Sequence, residues 1–188
     1  MPCEFNDIID FNCNSKTSGG LKQTTWVFNY SDIVDKEAFL ADVTNIGVAM
    51  ATIDIAVGEM SFIKTAPEKF SFTDTGIPDA IGRVKAYDHG FDSTLYSSGA
   101  AGDLSIQNLV ESVGLIFIVQ TLADEFLIIG GGGNGYVTSK VQGSGNAAGD
   151  DSGNVITYVA KNQSKPVQRF SAGTVAQTVA YLNGLLVP

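Results

Sequence analysis

Charge, cysteine and histidine are all scarce in this chain of 188 residues, where charged side chains make up 16%, with two Cys and one His. Hydrophobic residues reach 44%, far from the low-hydrophobicity, high-charge signature of disorder, so the chain folds. Cys3 and Cys13 are too few for a disulfide scaffold and lack the second ligand pair of a structural zinc site. They read as two free thiols in an amino-terminal arm, with a bridge closing a small loop as the alternative. No apolar run reaches membrane-spanning length, and Met1 to Asp7 has neither the basic start nor the apolar stretch of a signal peptide. The expectation is a protein made in the cytoplasm with no membrane partner.

Basic residues are few as well: 11 Lys and Arg against 20 Asp and Glu give a net charge of −9, a field that repels a phosphate backbone. Lys161, Lys165 and Arg169 are the nearest thing to a basic cluster and read as solvated strand and loop positions. What the chain has in quantity is glycine, 21 residues of it. Low charge with abundant glycine points to a surface partly hidden by self-association. The length suits one domain, 1–188, with an arm at 1–20 and another at 171–188.

The coarse pattern is β. Trp26, Phe28 and Tyr30 fall on one inward face of a strand over Leu21 to Tyr30. Ser31 to Leu40 reads equally as a short capped helix or a loop. Strands are expected over Ile46 to Val57, Met60 to Thr65, Lys69 to Thr73, Gly82 to Tyr87 and Phe91 to Tyr96, with turns at Gly58-Glu59 and Thr75 to Asp79. One helix stands out, capped by Asp103, with Ile106, Leu109, Val110 and Val113 as its apolar stripe and Gly114 as its end. A meander follows: Leu115 to Gln120, a turn at Thr121 to Asp124, Glu125 to Ile129, a Gly-rich loop and the strand Asn154 to Val159. Val175, Val179 and Leu182 have helical spacing, but Gly184 and Pro188 stop anything longer, so the tail is expected to dock on a neighbour or fold back. Eight to ten strands with one helix make a mainly β sandwich or barrel.

Chemistry is hard to find. Asp88, His89 and Asp92 lie between two expected strands and hold the residue types of a metal or acid/base unit, but one His without a nucleophile motif favours ordinary polar turn residues. The glycines at 130–133 and 135 lead into Tyr136-Val137-Thr138, a strand and not the helix a phosphate loop needs. They read as turn or bulge glycines that allow close backbone approach. Asp150-Asp151, with Asn146, Ser152 and Asn154, offers oxygen ligands without the spacing of a calcium loop, and a solvated turn is the better reading. No cofactor or metal is expected and no enzyme motif is present.

The order of features resembles virion structural proteins of tailed phages. The resembling positions are Cys13, Ser18-Gly19-Gly20-Leu21-Lys22, the aromatic strand Trp26 to Tyr30, Ser31-Asp32-Ile33 and the helix around Leu104 to Val113. Phe117-Ile118-Val119, Glu125 to Gly130, Asn134-Gly135, Gly149 to Asn154 and Pro166 to Phe170 complete the set. In size and layout the chain is most similar to a tail tube protein, a fold shared with the inner tubes of contractile injection systems. That resemblance implies two near-orthogonal antiparallel sheets with one flanking helix and extended terminal arms. It also implies a homohexameric ring that stacks into a tube within the virion tail, with sheath or tail terminator proteins as partners and DNA only passing through. A capsid decoration protein, a head-tail connector ring and an adhesin domain are the alternatives. The assembly residues expected on this basis are Gly58, Glu59, Ile77, Pro78, Asp79, Gly131, Gly132, Gly133, Asn134, Asp150 and Asp151.

Overall fold

The computed structural model describes residues 20–95, 99–143 and 153–186. The fold is mainly β, as expected. It has strands β1 (Leu21–Asn29), β2 (Ser61–Pro78), β3 (Val84–Leu95), β4 (Leu115–Thr121), β5 (Phe126–Ile129), β6 (Tyr136–Gly143), β7 (Gly153–Gln163) and β8 (Gln168–Phe170). Helices α1 (Lys36–Thr44), α2 (Gly99–Glu111) and α3 (Val175–Gly184) accompany them. All strand pairs are antiparallel and run in the order β6-β7-β3-β2-β1-β4-β5-β8. Two sheets, of 5 and 4 strands, result because β2 belongs to both. Its first residues pair with β1 through Thr24↔Lys64 to Val27↔Ser61, and from Thr65 onward it pairs with β3.

The five-stranded sheet is covered on both faces, which explains why β1, β4 and β5 are apolar almost throughout. On one face it meets the four-stranded sheet: Phe117 of β4 stacks between Phe91 of β3 and Tyr158 of β7, with ring centroids 5.0 and 4.7 Å away. On the other face Trp26, Phe28, Ile116 and Ile118 pack under Phe39 and Val43 of α1 and Leu182 of α3. The expected inward face of β1 is therefore observed, with Trp26 and Phe28 buried and Tyr30 packed on the same cluster. Each buried aromatic of this kind contributes about 2 to 3 kcal/mol through burial.

Several expectations change. Three helices flank the sheets instead of one. The segment left open at Ser31 to Leu40 becomes a 3-10 turn at Tyr30–Asp32 followed by α1, and Asp35 caps it by accepting from the Ala38 N–H at 2.9 Å. The expected strand at Ile46 to Val57 is an irregular strap. It has isolated bridges only, and the Tyr181 hydroxyl holds it by bonding both the N–H and the C=O of Ile53. The alternation of Met50, Ile53 and Ile55 inward with Val48 and Val57 outward mimics a strand because the strap lies flat on the sheet below.

The carboxy-terminal segment folds back. Thr174 and Gln177 form a reciprocal capping box at the start of α3, and Asn183 accepts from the Trp26 indole at 3.1 Å. Residues 1–19 lie outside the described part. Helix α2 starts four residues before Asp103, which is therefore not its cap, and it ends at Glu111, so Val113 is exposed beyond its stripe. The meander strands β4, β5 and β7 lie where their patterns place them, and Asp124 takes φ 65 in the tight turn between β4 and β5. No helix among the described residues is long and apolar enough to cross a membrane.

Candidate functional site

The strands expected as Met60 to Thr65 and Lys69 to Thr73 are one strand, and so are the two expected around His89. The register of β2 with β3 runs unbroken from Phe70↔Ser93 to Ile77↔Ala86, so neither Thr75-Gly76 nor Tyr87 to Asp92 is a turn. Gly76 keeps the strand going: a Cβ there would lie 2.8 Å from a Val84 methyl. The turn is instead Asp79 to Arg83. The Asp79 N–H donates to the Arg83 carbonyl at 2.7 Å, and the Asp79 carboxylate accepts from the Ile81 and Arg83 N–H groups. Those bonds, the Arg83 N–H foremost, hold the Asp79 carboxyl below its ordinary range.

Beyond Tyr87, where β7 joins, β2 and β3 continue as a ribbon that no third strand joins among the described residues. Ile77, Pro78 and Asp79 are thus at the tip of a hairpin. Ile81 and Val84 beside them are 72% and 50% exposed, and Ile77 is half-buried. A two-stranded ribbon has no core of its own, so these apolar side chains face solvent in the isolated chain.

His89 sits mid-strand and is buried. The period of two sends His89 to the sheet interface and Asp88 and Asp92 to the opposite face, so the three do not converge. Its Nδ1 accepts from the Gly130 N–H at 3.2 Å and its Nε2 lies 3.1 Å from the Lys165 carbonyl. The first bond needs a lone pair and the second a proton, which fixes the neutral Nε2–H tautomer. Burial pushes its pKa down, and Asp74, 3.8 Å from Nε2, pulls the other way. Asp74 also accepts from the Val167 N–H, and Asp88 from the Asn162 N–H. This cluster ties β2 and β3 to the loops after β5 and β7. Among the described residues no group of three or more His, Cys, Asp or Glu is placed to hold a metal ion.

The Gly-rich loop packs within its own chain. A Cβ at Gly131 would lie 2.6 Å from Val43, and one at Gly133 or Gly135 would overlap the Tyr30 ring or the Tyr158 hydroxyl. Gly132 donates to Gln163 at 2.8 Å, and Asn134 donates to the Lys161 carbonyl at 2.7 Å. Burial drives the Tyr158 hydroxyl pKa far up, so it stays protonated and donates to the Leu115 carbonyl at 2.6 Å. Close approach is what these glycines provide, and the backbone and rings they approach belong to this molecule. Asp150 and Asp151 lie outside the described residues.

Gly58 and Glu59 form the turn before β2, with the Gly58 N–H donating to the Leu185 carbonyl at 3.1 Å. Glu59 lines a cleft of about 590 Å³ between α2 and the start of β2, walled by Ser105, Ile106 and Leu109 on one side and Leu186 on the other. No local pattern of residues signals this cleft, because it depends on where β2 leaves one sheet for the other. In comparisons with protein-family models, curated proteins and solved structures, nothing matches this chain.

Proposed function

We propose that this chain is a structural virion protein that self-assembles into stacked, hexameric rings forming a tail tube through which DNA passes. The observation that carries the reading is the β2–β3 hairpin, whose ribbon projects past the sheet and holds Ile77, Ile81 and Val84 outside the core. An apolar tip on a ribbon without its own core is stabilised by a neighbouring surface. A heterologous contact of that kind, repeated around an axis, closes a ring, and ring faces then repeat along the axis. The sequence resemblance supplies the hexamer, the tube and the partners, sheath or tail terminator. The net charge of −9 suits a channel wall that does not retain DNA.

Electron microscopy of the purified chain, with mass measured on the same sample, tests this reading. Rings or stacked tubes with a central channel are the expected result. Compact monomers or trimers at every concentration would replace it with a decoration or adhesin role. Ile81→Asp acts on the hairpin alone: it is expected to lower the assembled fraction at least tenfold while leaving the melting temperature of the folded chain unchanged, since Ile81 is 72% exposed.

A further inference from the structure

His89 is the only imidazole of the chain, and it holds two loops at once. The ring is buried, with Asp74 of β2 and Ala160 of β7 opposite it in the two ladders. Its two hydrogen bonds respond differently to a proton. A second proton goes to Nδ1, the one ring nitrogen with a lone pair, and leaves it facing the Gly130 N–H donor to donor. The Nε2–H bond to the Lys165 carbonyl survives, and the new charge favours Asp74, whose Oδ1 is 3.8 Å away.

Gly130 opens the Gly-rich turn. Its carbonyl accepts from the Gly133 N–H at 3.0 Å, so a shift of Gly130 carries the turn with it. Val43 of α1 packs on Gly131 and the Tyr30 ring on Gly133, and the Gly132 N–H has a bond of its own to Gln163. The far end of the loop is held separately: Asn134 donates to the Lys161 carbonyl, and the Gly135 carbonyl accepts from the Leu115 N–H. We infer that His89 is a proton-operated latch: protonation of its Nδ1 releases Gly130 and opens the turn at 130–133 beneath α1, while the sheets and the residues from Asn134 onward stay in place.

The surroundings of the ring set the direction of the response. Asp74 from β2 and Asp88 on β3 favour the charged ring, the Lys165 carbonyl between β7 and β8 favours a proton on Nε2, and burial opposes the charge most strongly. On the Gly130 side stands the Tyr158 hydroxyl of β7, which burial keeps protonated and which donates to the Leu115 carbonyl. The latch is closed at neutral pH and opens as pH falls below 6.5, the ordinary imidazole value. It belongs to the single folded chain and is independent of how copies associate.

NMR of the full chain from pH 7.5 to pH 5, following the His89 ring and the amides of Gly130 to Gly133, tests the inference. Ring protonation and the four amide shifts are expected to follow one titration curve. Hydrogen exchange at Gly130, corrected for the pH dependence of free amides, is expected to lose about tenfold or more in protection while Ile118 in β4 keeps its own. His89→Gln, which has a donor and an acceptor but cannot titrate, is expected to stay closed throughout. Asp74→Asn, which still accepts from the Val167 N–H, is expected to move the opening about one unit lower in pH. It reads the latch with the ring intact, should His89→Gln fail to fold. A ring that gains its proton with the four amides unmoved would overturn the latch, as would a ring that stays neutral through the range. Opening that persists in His89→Gln would overturn it by assigning the change to other groups, and protection lost at Ile118 together with Gly130 would overturn it by showing unfolding in place of local release.

Discussion

His89 occupies a position where a proton and a fold compete. Its native hydrogen bonds require the neutral ring, and burial lowers its pKa from 6.5 in spite of the carboxylates of Asp74 and Asp88 nearby. A depressed native pKa means that the unfolded chain binds the proton first as pH falls. The contribution of His89 is therefore fully present above 6.5, and it declines as pH falls from there toward the native value. Asp79 and Asp124 are also depressed, by hydrogen bonds from Arg83 and Lys22 respectively, but their contributions are lost only as pH falls below 3.8. Thermal melts at pH 7.5 and pH 5 separate the two sets. The wild type is expected to lose several degrees between them, and His89→Gln, which cannot titrate, is expected to lose less. Equal losses would assign the dependence elsewhere.

At the scale of elements, α3 is the clearest example of a segment whose role depends on what lies beneath it. Its spacing of Val175, Val179 and Leu182 is visible in the sequence, yet ten residues are too few to hold a helix in water. The docking of Leu182, fully buried against Trp26 and Phe170, makes the difference. Leu182→Ala is expected to cost about 2 to 5 kcal/mol in urea unfolding, enough to release α3 and the strap that Tyr181 holds. A cost below 1 kcal/mol would mean that α3 docks loosely.

The same contrast governs how much of the fold was legible. The β4–β5 meander was readable because its strands are short, doubly buried and separated by a turn that accepts φ 65 at Asp124. α2 is readable from Ile106 and Leu109, although not its start, since the two glycines Gly99 and Gly102 read as a break before Asp103. The strap at 46–57 has the pattern of a strand because lying on a sheet imposes the same alternation as joining one. The hairpin tip was placed one turn too early, since Gly76-Ile77-Pro78 resembles a turn and only the pairing across to Val84 shows that the strand continues. Ile77, Pro78 and Asp79 lie at the end of the hairpin, beside the exposed Ile81 and Val84. The cleft has no counterpart in the sequence pattern, because β2 and α2, which wall it, are far apart along the chain.

At the scale of the whole molecule, the proposed self-assembly would bring copies of net charge −9 together, like charge against like. At 0.01 M ionic strength that repulsion extends about 30 Å, and at 0.15 M about 8 Å. Assembly followed by light scattering is expected to speed up severalfold across that range, in contrast to a complex built on opposite charges. Slowing with salt would point to ion pairs across the interface.

One strand, β2, reaches both the hairpin tip and the cleft. Phe62 and Lys64 lie at one end of β2 and Ile77 and Pro78 at the other, separated by roughly 45 Å of extended backbone with a register shift between Thr65 and Phe70. Covalent bonds, and not only side-chain packing, therefore connect the hairpin tip to the cleft. A pull on the tip is borne by the ladder with β3 and then by the ladder with β1, so the load passes from one sheet into the other without crossing the apolar layer between them. In a stack of such subunits, β2 would act as the tendon of each one.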